Sequence, residues 1–156
     1  MSPSPAPYYE SDRGLAEYLL FHYGSPAQVL PWDFGPRAAL EYPARCVSEC
    51  LDRARVPPGA RALDLGCAVG RASFELARHC EEVVGIDHSG RFVEAARHLA
   101  DSGSLDYRIV EEGEITVPAA AVVPAGIERR RVRFEQGDAH ELREGLGTFD
   151  VVLLAN

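Results

Sequence analysis

Residues 61–70 read Arg-Ala-Leu-Asp-Leu-Gly-Cys-Ala-Val-Gly, and the fold follows from how this stretch is interpreted. A short apolar run ends in an acid and a glycine-spaced turn. An amphipathic segment carrying Phe74, Leu76, Ala77 and Cys80 follows at once, so the stretch predicts strand, tight loop, helix. Gly66 and Gly70 permit a sharp turn and a close backbone approach to a ligand, with the free amides of the next helix aimed at it. A glycine loop alone is weak evidence, because tight strand-to-helix turns also occur without ligands. Asp87 sharpens it. It closes the next apolar run, Val83-Val84-Gly85-Ile86, 21 residues after Gly66, where an acid at the tip of the second strand can take both hydroxyls of a ribose.

Two kinds of adenosine cofactor fit that much, and Asp64 helps to choose. In a dinucleotide loop this carboxylate would face a pyrophosphate of like charge. It suits a cation better, such as the ammonium at the amino-acid end of S-adenosylmethionine. Ala68 points the same way, since it puts a methyl group where a dinucleotide fingerprint needs its second glycine. The structural alternative for Asp64 is a residue at the approach to a helix, satisfied by nearby amides.

Length and composition set the bounds. A chain of 156 residues with 46% hydrophobic and 26% charged residues suits one soluble domain. A net charge of −8 argues against a polyanionic partner, and the longest basic run, Arg129-Arg130-Arg131, reads as a solvated approach to a strand. No apolar run nears the roughly 20 residues needed to cross a membrane, and Met1-Ser2-Pro3-Ser4-Pro5 is not a secretory leader. A cytoplasmic location is therefore expected. Cys46, Cys50, Cys67 and Cys80 match neither a disulfide framework nor a zinc site, and are expected to be reduced and mostly buried, with no metal.

Residues 1–7 are a proline-rich lead expected to be a disordered arm. From Tyr8 to Gly24, Leu15, Tyr18, Leu19 and His22 recur at helical spacing, with Ser11 or Asp12 as cap and Gly24 as stop. The aromatic density of this helix suggests a lid over a pocket. An ordinary helix packed on the main domain would read the same, and His22 alone does not separate the two. Residues 25–35 read as an irregular connector, and Tyr42 to Arg55 as a helix with Pro43 in its first turn and a Val47, Cys50, Leu51, Ala54 stripe. A further helix is expected from Ser89 to Ala100. The alternation implies an α/β, doubly wound parallel sheet of Rossmann-like type. Between residues 105 and 128 an inserted hairpin turned at Gly113 interrupts it. The third strand, Arg131 to Gln136, leads into Gly137-Asp138-Ala139, where Asp138 is placed to accept a hydrogen bond from an adenine amino group. Phe149 to Ala155 reads as the fourth strand.

The set D-L-G-C-A-V-G, G-I-D-H-S, E-Q-G-D-A-H and F-D-V-V-L-L-A-N, in that order, resembles motifs one to four of the class I S-adenosylmethionine-dependent methyltransferases. The N-terminal Y-Y-E-S-D-R-G-L-A-E-Y-L-L-F-H-Y-G, the helix R-C-V-S-E-C-L-D and the insertion before R-V-R-F-E-Q-G-D resemble one subfamily, the 5-thiohistidine (4-mercaptohistidine) N-methyltransferases of ovothiol biosynthesis. The resemblance implies that Asp64, Gly66 and Gly70 line the methionine side of S-adenosylmethionine, Asp87 the ribose, and Asp138 with Ala139 the adenine. Cys67, Ala68, His88 and Gly137 lie in the same motifs, and Asn156 ends the fourth strand beside the first. The implied division is an arm at 1–7, a lid and substrate segment at 8–40, and a cofactor domain at 41–156.

The implied substrate is a small histidine-derived thiol, with neither nucleic acid nor membrane as partner. Tyr9, Glu10, His22 and Tyr23 are the candidates to orient it, and no catalytic residue is assigned. A nicotinamide-dependent oxidoreductase or a non-catalytic binding module remains the alternative. The family continues past the fourth strand where this sequence stops, so the resemblance implies a partial sheet in the order 3-2-1-4. The expectation is a truncated, poorly active chain whose open fourth strand is prone to association.

Overall fold

The computed structural model describes residues 8–155. The predicted arm at 1–7 and Asn156 lie outside the described residues. Strands β1 (Arg61–Leu65), β2 (Glu82–Asp87), β5 (Val132–Gln136) and β6 (Val151–Leu154) form one parallel sheet in the order β5-β2-β1-β6. With the inserted strands set aside, this is the predicted 3-2-1-4. Strands β3 (Ser104–Glu112) and β4 (Ile115–Val122) form a separate antiparallel hairpin around Gly113, longer than the residues that signalled it. The hairpin docks on helices α1 (Asp12–Tyr23) and α5 (Gly90–Ser102).

The register puts Asp64, Gly85 and Phe134 side by side across the sheet. A Cβ on Gly85 would lie 2.6 Å from the Phe134 ring and 2.9 Å from Ser73 Oγ. The missing side chain therefore makes room for an aromatic ring and for the start of helix α4 (Arg71–Leu76). Phe134 also lies beneath Gly70, where a Cβ would be 2.5 Å from its Cζ, and meets Phe74 edge-on with ring centroids 5.5 Å apart. The two motif glycines are thus partly packing residues, the smallness that lets α4 lie close on the strands.

The sheet's two faces differ. On one, α4 and α5 bury Ala62, Val83, Val132, Phe134, Ala96 and Leu99. On the other, Leu146 and Phe149 of the segment before β6 cover Leu63, Val84 and Ile86. Arg61 holds that segment, donating to Leu146 O and Thr148 O, with its guanidinium 4.7 Å from the Phe149 ring centroid. On β6, Val152 and Leu154 remain 59% and 74% exposed.

Several expected boundaries move. The 25–35 connector contains a helical turn, α2 (Pro26–Val29), closed by a capping box in which Ser25 and Gln28 bond each other's backbone. Helix α3 (Tyr42–Ser48) stops seven residues before the expected Arg55, because Asp52 accepts from Ala54 N and starts a separate turn at 53–55. The apolar stripe is lost with it: Val47 is buried, while Cys50 and Ala54 are exposed. All four cysteines are free, yet only Cys67 and Cys80 are buried, which corrects the expectation of mostly buried thiols. Arg131 falls in a 3-10 turn, so β5 starts one residue later. No described helix is long and apolar enough to cross a membrane.

Candidate functional site

Three strand ends meet at one edge of the sheet, and the backbone there is already organised. Beyond β1 the chain folds over the tip of β2, with Gly66 N and Cys67 N both donating to Ile86 O at 2.8 and 3.1 Å. Gly70 N closes the loop onto Cys67 O. Gly66 has φ +74, and a Cβ there would meet nothing within 4 Å. Its conformation requires glycine and its surroundings leave space for a ligand. Ala68 holds φ +46, an unfavourable value for a residue with a Cβ. Its strain is offset by Asp87, whose Oδ2 accepts from Ala68 N at 2.8 Å while Oδ1 accepts from Ser89 N at 2.9 Å. Asp87 therefore sets the loop's shape.

Beyond β5, Gly137 N donates to Asp87 O, joining the third strand end to the second. Asp138 Oδ1 accepts from His140 N, and Asp138 and Ala139 are exposed. His88 is also exposed, and its carbonyl accepts from Gln136 Nε2 at 3.0 Å. The structure thus brings Gly66, Cys67, Ala68, Gly70, Asp87, His88, Gly137, Asp138 and Ala139 onto linked loops at one sheet edge. Asn156 cannot be placed with them, being outside the described residues.

Asp64 lies on the helix-covered face and is 2% exposed. Its Oδ2 accepts a hydrogen bond from Ser73 Oγ at 2.6 Å. Burial, reinforced by the nearby Asp87 charge, pushes its pKa up to about 6 against the hydrogen bond from Ser73. The partner of Asp64 is thus a hydroxyl of α4, where the structural alternative expected loop amides. Burial likewise raises the Cys67 thiol well above its usual range, leaving it protonated and inert as a nucleophile.

The lid candidates split into two pairs at opposite ends of α1, whose twelve residues span about 18 Å. At its start, Ser89 Oγ donates to Tyr9 O at 2.9 Å, Gly90 N donates to Glu10 Oε1 at 3.0 Å, and Asp12 pairs with Arg91. Tyr9 and Glu10 thereby occupy the beginning of α5, next to Asp87. At its end, Tyr23 OH donates to Val69 O at 2.8 Å, and His22 lies beside Tyr23 and Arg71. In the middle, Tyr18 packs on Phe92 with ring centroids 4.5 Å apart and the rings tilted by 36°. Tyr9, Glu10, His22 and Tyr23 therefore do not form one cluster, and α1 bridges the glycine loop and the β2 tip.

Ser73 and Arg71 escaped the sequence reading, and Ser89 was read only as the start of a helix. Ser73 carries no motif signal, since its role depends on what the sheet brings opposite it. Arg71 had one available sign, its position immediately after the last loop glycine.

Residues 57–119 match the family model described as "Methyltransferase domain". Over 104 residues the chain is 34% identical to a 23S rRNA (uracil(1939)-C(5))-methyltransferase of Alkalilimnicola ehrlichii, covering 67% of this chain and 23% of that protein. Over 109 residues it is 29% identical to an S-adenosyl-L-methionine-dependent Diels-Alderase of Talaromyces variabilis, covering 67% and 37%. Among solved structures, the YcgJ protein of Bacillus subtilis aligns at 22% identity and a TM-score of 0.48, covering 69% of this chain and 36% of that one. The chain spans well under half the length of the curated relatives it matches. The fold is Rossmann-like α/β, a parallel sheet with an added antiparallel hairpin. Residues 57–119 thus resemble a methyltransferase domain, and neither alternative function is favoured.

Proposed function

We propose that this protein is an S-adenosylmethionine-dependent methyltransferase that methylates a ring nitrogen of a small histidine-derived thiol, as in ovothiol biosynthesis. The observation that carries the cofactor is the pair formed by the open Gly66 turn and Asp87, whose carboxylate is held at the β2 tip by Ala68 N and Ser89 N. Each Asp87 oxygen takes one amide and keeps acceptor capacity for a ribose hydroxyl. The open turn at Gly66 leaves room for the methionine side, and the family likeness assigns Asp138 with Ala139 to the adenine. When bound, the cofactor supplies a methyl group already activated by its positive sulfur.

The chain's own contribution is positioning. Holding a nucleophile at about 3 to 3.5 Å from the reacting carbon can supply roughly 7–11 kcal/mol of the barrier reduction. The neutral ring nitrogen of an imidazole needs orientation and the right tautomer rather than a base, so no residue is assigned as catalytic. The substrate class rests on the likeness of residues 8–24, 45–52 and the insertion to the 5-thiohistidine subfamily. The acidic charge balance supports a small molecule over nucleic acid or membrane. The four free cysteines fit a reducing, cytoplasmic setting. Exposed Val152 and Leu154 make β6 the surface through which we expect self-association.

Calorimetric titration with S-adenosylhomocysteine and with NAD tests the cofactor: the first is expected to bind and the second not, and binding of NAD alone overturns the reading. Labelled-methyl transfer to histidine, 5-thiohistidine and a cysteine-conjugated histidine tests the substrate. Failure of all three, with turnover of an unrelated small molecule, removes the subfamily assignment while leaving the methyltransferase intact.

A further inference from the structure

Among the described residues, two buried side-chain polar atoms have no hydrogen-bond partner, His22 Nδ1 and Tyr107 OH. Tyr107 lines the groove between α1 and the hairpin with Leu15, Leu19 and Val110. His22 stands at the other end of α1, next to Tyr23, whose hydroxyl is fixed to the glycine loop at Val69 O. An unpaired buried nitrogen costs about 1–3 kcal/mol, and such groups in a folded protein call for an explanation.

Arg71 supplies the second half of the observation. It follows Gly70 directly, donates Nη1 to Glu75 Oε2 at 2.8 Å, and lies close enough to His22 to repel a proton from it. Burial is the larger cause, and together they hold the imidazole neutral, with its pKa lowered to about 3. Glu75 is shared with Arg78, at 2.9 Å, so the Arg71, Glu75, Arg78 group keeps a net positive charge. With the proton on Nδ1, the neutral imidazole presents an N–H beside a guanidinium fork, and that pair is matched to one ligand chemistry. A carboxylate can accept from both, whereas an ammonium would meet the like charge of Arg71.

We propose that His22 Nδ1 and the Arg71 guanidinium together bind the carboxylate of an amino acid at the end of the glycine loop. This rests on the methyltransferase reading, under which the carboxylate comes from the methionine end of the cofactor or from an amino-acid methyl acceptor. His22 is then a specificity determinant that distinguishes an amino acid from its decarboxylated counterpart, and its unpaired nitrogen is the unliganded form of that contact.

The experiment is calorimetric titration of wild type, His22→Phe and His22→Gln with S-adenosylhomocysteine and with its decarboxylated analogue, which keeps the ammonium. His22→Phe is expected to weaken S-adenosylhomocysteine binding tenfold or more and leave the analogue's affinity within twofold. It should not lower the melting temperature of the unliganded protein, because it removes a buried unpaired atom. His22→Gln, which keeps a donor, should recover part of the loss. If S-adenosylhomocysteine binding is unchanged but binding of 5-thiohistidine to the S-adenosylhomocysteine complex falls tenfold against decarboxylated 5-thiohistidine, the carboxylate belongs to the acceptor. Equal losses for a ligand and its decarboxylated form, or no loss for either pair, overturn the proposal. Failure of wild type to bind S-adenosylhomocysteine overturns the methyltransferase reading and this inference with it.

Discussion

The glycine loop and the α1 helix form two sides of one candidate site from different materials. The loop side is made of backbone: Gly66 N and Cys67 N on Ile86 O, Gly70 N on Cys67 O, and Ala68 N on Asp87. The α1 side is made largely of side chains: Glu10 accepts from Gly90 N, Tyr18 packs on Phe92, and Tyr23 donates to Val69 O. A backbone-built surface tolerates change only where the residue's φ and size allow it. A side-chain-built surface can be retuned one residue at a time, which fits a shared cofactor on one side and a particular substrate on the other.

The loop side should break hardest. Gly70 combines φ +84 with a would-be Cβ 2.5 Å from the Phe134 ring, so Gly70→Ala is expected to destabilise by roughly 3 kcal/mol or more from backbone strain plus overpacking. A urea titration checks this, and a loss under 1 kcal/mol would mean that α4 can slide away from the sheet at little cost. Asp87→Ala should weaken S-adenosylhomocysteine binding by about 1.5–3 kcal/mol, the scale of hydrogen bonds involving a charged group. Calorimetry would read the loss directly.

The pH dependence of stability sharpens the contrast, because each side buries one titrating group with the opposite sign. Asp64 has a folded pKa of about 6, above its model-peptide value of 3.8. The folded state therefore holds its proton longer, and its contribution to stability declines as pH rises from about 4 to 6. His22 has a folded pKa of about 3, below 6.5. The unfolded state binds that proton first, so its contribution declines as pH falls from about 6.5 towards 3. Between pH 4.5 and 6 the two slopes oppose, and wild-type stability should be nearly flat. Asp64→Asn should make stability rise with pH across this window by roughly 2 kcal/mol, and His22→Phe should make it fall by a similar amount. Glu82 and Glu135, both held below the usual carboxylate range by arginines, add acid sensitivity below that window. Denaturant melts at four pH values decide it, and parallel profiles for both variants would show that neither group is as buried as its contacts imply.

The smallest effect belongs to the seam between the two sides. Tyr23→Phe leaves the Val69 carbonyl without its 2.8 Å partner and should cost about 1 kcal/mol. Hydrogen exchange at the loop amides should quicken in the same variant, and unchanged exchange would show that α1 does not restrain the loop.

Much of the loop side was legible in the chain. D-L-G-C-A-V-G after an apolar run and an acid 21 residues beyond Gly66 are local signals, and the four parallel strands and their order came out as read, with β5 starting one residue late and β6 confined to Val151–Leu154. Where the reading failed, a local signal was outcompeted. The stripe Val47, Cys50, Leu51, Ala54 promised a longer helix, yet Asp52 captured Ala54 N and ended it. On the α1 side the sequence marked aromatic richness without saying which ring meets what.

Residue spacing by itself determined the alternation of strand and helix, the left-handed glycine turn and the acid at the second strand's tip, because each depends on neighbours within one loop. Only the tertiary structure decided that Asp64 is held by Ser73, that Gly85 makes room for Phe134, that Tyr9 and Glu10 sit at one end of α1 and His22 and Tyr23 at the other, and that His22 Nδ1 is buried beside Arg71 without a partner. Those facts join residues 9 to 80 positions apart. What a side chain meets at that separation is set by sheet register and helix packing, which no local run of sequence encodes.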